Sequence, residues 1–270
     1  MDMLPIFRQQ RDILRASTPD QFIDKNLPVL YEGIMHQWAS YPKWNIQYLA
    51  DTFGNYKISA DRNINGQISY IQAPMKDYAG YIRDTADPIP YYGKSTMHLK
   101  THMNLEYQTP DAFNCWYKAY YTAQSATRKI DLSSLYFGPR GARSTIHQDI
   151  WGTSFWNALY EGRKLWLFFP QEQEHLLYNG EFDPLTADIA SYPLLGEAEP
   201  IICIQEPGEL IYCPANIWHW AYVLEPGLAL SENFINEDNY LHVLQYFQRM
   251  GYTNAEQKMK DIANTFLNKQ

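Results

Sequence analysis

The sequence predicts a mainly β protein in which helices precede and follow a β core of roughly 100 residues, the size of one sandwich domain. From about residue 130 to 235, short aromatic and β-branched runs alternate with Gly, Pro and Asn, as in the strands of a sandwich or barrel. Upstream, the apolar residues of 46–53 recur at i, i+3, i+4 and i+7, which indicates an amphipathic helix. Downstream, the apolar residues of 240–247 and 259–266 return to a helical period, which predicts two C-terminal helices.

Local signals support these elements in order. Asn45 is a suitable N-cap for the first helix, and Gly54 is a suitable stop. In the core, "TSFWNALY" and "KLWLFF" flank residues 161–163, and we expect a hairpin there whose Gly162 supplies a positive φ. The stretch "STIHQDIWGT" (144–153) has the pattern of a buried strand.

Composition limits the classes of partner. The 270 residues are 46% hydrophobic, enough to bury a large core in one domain with additions. The 30 acidic residues outnumber the 22 basic ones, and no Lys/Arg cluster could follow a phosphate backbone. We therefore expect no direct nucleic-acid partner.

Cysteine usage and hydropathy indicate the compartment. Cys115, Cys203 and Cys213 are an odd number without CxxC spacing, which favours reduced, buried thiols. The start, "MDMLPIFRQQRDILR", lacks the apolar core of a signal peptide, and the longest apolar run, "LWLFF" (165–169), is too short to span a bilayer. These features predict a soluble, cytoplasmic protein with no membrane partner.

Three residues form a candidate metal site. His147 and Asp149 are two positions apart, so on a strand both side chains would point to the same end of a barrel. His219 follows 72 residues later, after another predicted strand. Two histidines and one carboxylate, with coordination positions left open, form the facial triad typical of non-haem Fe(II).

Spacing alone leaves other interpretations open. Chance supplies about 0.4 His-x-Asp pairs in a chain of this composition, so the pair by itself is weak support. His147 could be a hydrogen-bonded core histidine, Asp149 a turn former and His219 part of an aromatic belt. His98 and His102 are a second candidate pair, at helical i, i+4 spacing, with a solvated helix or loop as the alternative.

Two long blocks of sequence resemble a known family. "GARSTIHQDIWGTSFWNALYEGRKLWLFFP" and "PGELIYCPANIWHWAYVLEPGLALSENF" are similar to the Jumonji-C (cupin-like) Fe(II)- and 2-oxoglutarate-dependent oxygenases. The nearest branch is that of the lysyl hydroxylase once described as the phosphatidylserine receptor. With "NLPVLYEGIMHQWASYPKWNIQYLADTFGN", the resemblance covers about residues 25–235. It implies a double-stranded β-helix (cupin/jelly-roll) core at about 130–235 in a domain of 1–237, with a C-terminal helical extension over 238–270.

The resemblance also implies roles for individual residues. The iron ligands correspond to His147, Asp149 and His219. The 2-oxoglutarate pocket corresponds to six residues: Lys164, Asn157, Ser144, Ser231, Tyr92 and Asn233. Both serines replace threonines of the nearest relative and keep the hydroxyl. Tyr91, next to Tyr92, is the alternative match.

The activity implied is hydroxylation of a protein or peptide side chain, with lysyl favoured, while O2 is consumed and 2-oxoglutarate becomes succinate. A small-molecule hydroxylase of the same fold, a non-catalytic cupin-like binding module and a zinc hydrolase are alternatives. The acidic segment 171–200 is either a solvated loop or a rim that favours a basic substrate. The apolar stripes of the C-terminal helices predict a homodimer, unless the barrel covers them.

Overall fold

The computed structural model describes residues 4–18, 25–64, 66–125 and 130–268. The first three residues of the N-terminal segment and the last two of the predicted C-terminal extension lie outside the described residues. The described part contains eleven strands and five α-helices, joined by loops and short 3-10 turns.

The strands are, in chain order, β1 (Arg11–Asp12), β2 (Leu14–Ala16), β3 (Val29–Tyr31), β4 (Lys57–Ile64), β5 (Gln67–Pro74), β6 (Tyr92–Ser95), β7 (Ser133–Gly138), β8 (Ser154–Phe169), β9 (Ile201–Gln205), β10 (Leu210–Cys213) and β11 (Trp218–Phe234). The helices are α1 (Ile46–Phe53), α2 (Met75–Asp84), α3 (Trp116–Ala123), α4 (Tyr240–Arg249) and α5 (Thr253–Leu267).

Two long antiparallel strands, β8 and β11, are the centre of the sheet. The first half of β8 also pairs with β10, and its second half pairs with β9. Phe155 and Trp166, one from each half of β8, stack with ring centroids 5.9 Å apart, so the two halves of the sheet face each other. This arrangement agrees with the predicted cupin-type core.

The sheet extends further toward the N-terminus than the predicted barrel core. The order β2-β3-β10-β8-β11-β7-β6-β4-β5 adds strands from residues 57–95 to one side and leaves β5 at the edge. On β4, Ile58 and Ala60 are buried against the helices, whereas Ser59 and Asp61 lie on the opposite face. The β4–β6 strands therefore contribute one wall to the interior of the barrel.

The predicted hairpin at residues 161–163 is wrong, because β8 runs through it as one strand of 16 residues. Gly162 does have a positive φ, 82°, but it lies at a bulge where β11 slips in register. A Cβ on Gly162 would collide with the carbonyl oxygens of Glu225 and Pro226. The glycine thus allows close strand approach rather than a chain reversal.

The expected strand at 144–153 is also wrong. His147 forms only an isolated bridge with His219, through two backbone hydrogen bonds of 3.1 and 2.9 Å. Ser144 interrupts regular pairing, because its Oγ accepts a hydrogen bond from the backbone N–H of Ala221. After Asp149 the chain turns into a short 3-10 segment, Ile150–Gly152.

The predicted helices are present. Asn45 caps α1 by accepting a hydrogen bond from the backbone N–H of Tyr48 at 2.7 Å. The two C-terminal helices pack on α3, where the rings of Trp116 and Phe266 stack at 5.5 Å. Among the described residues, none of the helices combines the length and apolar character that a bilayer span requires.

Candidate active site

The structure brings His147, Asp149 and His219 together. One ligand atom from each residue lies within 4.8 Å of the other two. The Nε2 atoms of His147 and His219 are 3.7 and 4.0 Å from Oδ1 of Asp149. The two histidines are 72 positions apart in the sequence, and the backbone bridge between them holds their rings close together.

Hydrogen bonds orient both imidazoles. Nδ1 of His147 lies 2.8 Å from the carbonyl oxygen of Thr145, and Nδ1 of His219 lies 3.0 Å from that of Ile217. A carbonyl can only accept, so each Nδ1 carries a proton and each Nε2 is the ring atom available to a metal. Burial, with a smaller contribution from His147, lowers the pKa of His219 to about 4, so its ring stays neutral near pH 7. His219 therefore presents the form that binds a metal, and the hydrogen bond at Nδ1 of His147 leaves its Nε2 directed toward Asp149.

Asp149 is held from the opposite strand. Asn233, on β11, donates from Nδ2 to Oδ2 of Asp149 at 2.8 Å and to Oγ1 of Thr153 at 3.0 Å. The other carboxylate oxygen, Oδ1, remains directed toward the two histidines. Asn233 thus orients the carboxylate, and it also lines the cavity described next.

A cavity of about 330 Å³ opens beside the three residues. Lys164 lines it and is 2% exposed, and among the described residues no carboxylate lies within ion-pair distance of its Nζ. Its Nζ lies 5.6 Å from the ring centroids of Tyr92 and Trp166. Burial lowers the pKa of Lys164 to about 7. An uncompensated cation site of this kind favours an anionic ligand.

Asn157 faces the same cavity. Its side chain is 2% exposed, and Oδ1 has no hydrogen-bond partner within the described part of the chain. Asn157 and Lys164 are separated by an odd number of positions, yet both point inward because the bulge at Gly162 shifts the alternation of the strand. Trp156, the residue before Asn157, points to the opposite face of β8 and packs into the hydrophobic core, as the alternation predicts.

The remaining predicted pocket residues also line the cavity. Ser144 is engaged with Ala221, as described above, and Ser231 donates from Oγ to the carbonyl oxygen of Trp156 at 2.9 Å. Tyr92 faces Lys164, whereas the Tyr91 hydroxyl accepts a hydrogen bond from Ser69 outside the cavity. Of the two tyrosines, Tyr92 is therefore the one in the site.

Sequence reasoning missed three residues that line the cavity, two of them on strands outside the predicted core. Tyr136 on β7 lies with its ring centroid 6.0 Å from Nζ of Lys164, and Asp61 and Lys94 line the cavity from β4 and β6. No local motif marks these residues. Only the pairing of β4, β6 and β7, a long-range feature, places them on one face.

The second histidine pair does not form a site. His98 is fully buried, with Nε2 2.7 Å from Oγ of Ser133, whereas His102 is exposed and lies near Glu106 on a separate turn. The i, i+4 spacing does not bring the two rings together because the chain forms two short 3-10 turns here and no α-helix.

The acidic segment 171–200 packs against the barrel. Its apolar residues, among them Leu176, Leu177 and Leu195, are buried in a cluster with β8. Asp183 forms an ion pair of 2.7 Å with Arg143, a residue that lines the cavity. The segment therefore contacts the edge of the cavity through at least one of its carboxylates.

Comparison with known proteins gives the family. The sequence model of the cupin-like domain family matches residues 15–240 of this chain. The chain belongs to the cupin-like domain family. The match covers the strands from β3 to β11 and most of β2, together with the three residues of the candidate metal site. The membership of this cupin-like domain in the Jumonji-C group, predicted from the two sequence blocks, is confirmed.

Three relatives of this chain carry the names of enzymes. The lysine-specific demethylase JMJ21 of Arabidopsis thaliana is 28% identical over 80% of this chain and 24% of its own length. The 2-oxoglutarate and iron-dependent oxygenase JMJD4 of Danio rerio is 26% identical over 95% of this chain and 66% of its own. The bifunctional arginine demethylase and lysyl-hydroxylase psr-1 of Caenorhabditis elegans is 25% identical over 81% and 58%.

The cupin-like domain spans between about a quarter and two thirds of the length of these relatives. At the level of the family, the comparisons confirm the predicted enzyme class, an oxygenase, and the predicted cofactors, iron and 2-oxoglutarate. The individual substrates of the relatives belong to those proteins.

Proposed function

We propose that this cupin-like domain is an Fe(II)- and 2-oxoglutarate-dependent oxygenase that hydroxylates a protein side chain, with lysyl favoured. The observation that carries the proposal is the arrangement of two complementary sites in one cavity. Three metal-ligand side chains converge at one end, and a buried, unpaired lysine lies in the same cavity.

The donor set suits Fe(II). His147, Asp149 and His219 supply two imidazole nitrogens and one carboxylate oxygen, which leaves further positions of an octahedral ion open. No cysteine belongs to the cluster, so the set lacks the soft ligand that structural zinc sites often use. Asn233 holds Asp149 in place before a metal arrives, which reduces the ordering cost of binding.

The interior polar residues suit a dicarboxylate co-substrate. Lys164 is the counter-charge for one carboxylate, and the Asn157 side-chain amide, with Oδ1 unpaired, is available to hydrogen-bond it. The Asn157 oxygen and nitrogen are interchangeable by a flip of the side chain, so the amide can present a donor. The Tyr92 and Tyr136 hydroxyls remain protonated because burial raises the pKa of both groups.

The reaction balances as R–H, O2 and 2-oxoglutarate giving R–OH, succinate and CO2. Iron supplies the redox chemistry when it is bound, and the protein supplies position and exclusion of water. The buried aromatic side chains Phe155, Trp166 and Phe168 pack around His219 and close off that side of the metal site.

The protein substrate and the lysyl preference rest on relatives. Psr-1 is named for lysyl hydroxylation and arginine demethylation, and JMJ21 for lysine demethylation, so all these named substrates are protein side chains. Among these chemistries, we favour hydroxylation. Oxygen gain in the substrate separates it from demethylation, which removes a methyl group.

The test is an anaerobic incubation with Fe(II), 2-oxoglutarate and a panel of lysine and arginine peptides, with and without N-methyl groups, and with free metabolites. After O2 is admitted, mass spectrometry should show a gain of one oxygen on a peptide, with one succinate formed per product. A methyl loss, or oxygen gain only on a metabolite, would reassign the reaction.

Replacement of a metal ligand should abolish the activity. His147→Ala should remove tight Fe(II) binding and succinate formation while the sheet stays folded, because the His147 side chain is 39% exposed and leaves little cavity. His102→Ala, an exposed histidine outside the cavity, is the matched control. Iron binding by His147→Ala equal to that of the control would contradict the assigned site.

A further inference from the structure

A row of three side chains crosses the sheet at the cavity entrance. Strand pairing sets Tyr70 of β5 opposite Asp61 of β4, and Asp61 opposite Tyr92 of β6. Directly paired residues share a face of a sheet, so the carboxylate lies between two aromatic side chains. Asp61 and Tyr92 line the cavity, and Tyr70 extends the row outward with 72% of its surface exposed.

The carboxylate in this row has no partner of its own. Within the described part of the chain, Asp61 takes part in no hydrogen bond or ion pair, and Lys94 is the cation whose charge acts on it. The Nζ of Lys94 lies over the ring of Tyr136, 5.3 Å from its centroid, and not within ion-pair distance of Asp61. Partial desolvation raises the pKa of Asp61, with Lys94 acting in the opposite direction.

The other charged groups at the entrance are already paired or distant. Arg143 binds Asp183 at 2.7 Å, which neutralises that part of the rim. Lys164 lies inside the cavity and is 2% exposed. Because Asp149 is assigned to the metal site, Asp61 is the remaining anionic group of the cavity lining that is free to meet an incoming cation.

We propose that Asp61, flanked by Tyr70 and Tyr92, is a specificity-determining residue that binds a cationic side chain of the protein substrate. An arginine fits best, because a planar guanidinium can pair with a carboxylate and lie against a tyrosine ring at the same time. The cation would be a residue near the target in the substrate, held at the entrance while the target side chain enters the cavity. The inference rests on the proposed function only in assigning this cation to the substrate.

The test is a binding cycle that needs neither iron nor 2-oxoglutarate. Two acetylated, amidated peptides of glycine and alanine carry either one central arginine or one citrulline, its uncharged analogue. NMR titration, which measures weak binding, gives dissociation constants for the wild type and for Asp61→Asn. In the wild type, the arginine peptide should bind about tenfold more tightly than the citrulline peptide. In Asp61→Asn, this ratio should fall to about one.

Two further variants show whether the preference for arginine depends on the position and the charge of Asp61. Asp12→Asn, an exposed strand aspartate that does not line the cavity, should keep the wild-type ratio. Asp61→Glu keeps the charge and should retain most of the preference. Equal ratios in the wild type and Asp61→Asn, or no preference in the wild type, would overturn the inference. Failure of the proposed function would appear separately, as absent iron or 2-oxoglutarate binding.

Discussion

Lys164 is a buried cation, and its surroundings favour a ligand with a negative charge. It is 2% exposed, without an ion-pair partner in the described residues, and a bound carboxylate would compensate its charge. Breaking a buried ion pair costs about 3–5 kcal/mol. Lys164→Ala should therefore weaken 2-oxoglutarate binding by roughly two to three orders of magnitude, at about 1.4 kcal/mol per tenfold. Anaerobic titration of the Fe(II)-loaded protein, followed by the charge-transfer band, measures this directly.

Two variants separate this role from a general effect of charge. Lys164→Arg should restore only part of the affinity, because the longer, planar guanidinium must fit a space shaped around an ammonium. Lys94→Ala removes an exposed lysine of the same cavity and should change the affinity less than about threefold. Iron affinity should be unchanged in all three. Equal affinity for 2-oxoglutarate in Lys164→Ala and Lys94→Ala would rule out the assigned role.

The pKa of Lys164 also predicts a pH dependence of binding. Burial lowers the pKa of the free lysine to about 7, and a bound carboxylate would raise it, so binding takes up a proton above pH 7. The affinity for 2-oxoglutarate is highest below the pKa of Lys164 in the ligand-free protein. It falls as the pH rises, by about tenfold between pH 6 and pH 8. The facing tyrosines, Tyr92 and Tyr136, do not titrate in this range, because burial raises the pKa of each.

The comparison variant for the pH series is Lys164→Arg, since a guanidinium stays charged at every pH in the range. Its 2-oxoglutarate affinity should be flat from pH 6 to pH 8, apart from changes that the wild type shares. A wild-type curve parallel to that of Lys164→Arg would show that Lys164 is already charged in the free protein.

At the scale of elements, the bulge in β8 connects fold and site. Gly162 has a φ of 82°, and a Cβ there would meet the carbonyl oxygens of Glu225 and Pro226. Gly162→Ala should therefore destabilise the protein by about 1–3 kcal/mol or more, from backbone strain together with displacement of β11. Because Lys164 is two residues away, 2-oxoglutarate affinity should fall as well. Urea unfolding and the anaerobic titration measure the two effects.

Gly33→Ala is the matched control for backbone strain. Gly33 has a similar φ, 86°, but nothing lies within 4 Å of a Cβ built on it. Its substitution should cost only the strain of a left-handed alanine, about 1 kcal/mol, and should leave 2-oxoglutarate binding unchanged. If both variants lost the same stability and neither lost affinity, close approach at Gly162 would be unimportant.

The elements also show how far the sequence predicts this site. Helix α1 and the two C-terminal helices follow from local periodicity and capping, and the triad follows from spacing together with the family resemblance of the two sequence blocks. The hairpin prediction at 161–163 failed because a positive-φ glycine is compatible with either a turn or a bulge, and only the partner strand decides between them. Asp61 and Tyr136 went unpredicted because they enter the cavity through pairing between strands distant in sequence.

At the scale of the whole molecule, the C-terminal helices pack against the segment 149–151, which carries the metal-site carboxylate of Asp149. Trp151, two residues after Asp149, has a φ of 58°. Its ring lies 5.3 Å from that of Phe247 on α4 and 5.6 Å from that of Tyr117 on α3. Asn233 holds Asp149 from the sheet side. The helices and the sheet thus fix the two ends of the segment that carries the carboxylate.

The same packing changes the reason to expect a homodimer. The stripe residues Val243, Phe247, Met259 and Ile262 are buried within one chain, so they need no second copy. The segment nevertheless keeps four large apolar side chains exposed: Leu241 at 56%, Met250 at 46%, Tyr252 at 48% and Leu267 at 39%. Exposed apolar residues grouped on one segment are typical of interfaces, and they are what a dimer prediction now depends on.

We predict a homodimer through α4 and α5. A point variant tests this prediction better than deletion of 238–270, because the deletion would also expose Trp116 and Trp151. Light scattering should give twice the chain mass for the wild type and one chain mass for Leu241→Glu, because a charge buried in an interface is costly. Leu105→Glu, at a leucine 83% exposed elsewhere on the surface, should stay dimeric. A wild type that scatters as a single chain at high micromolar concentration would show that the internal packing of the two helices suffices.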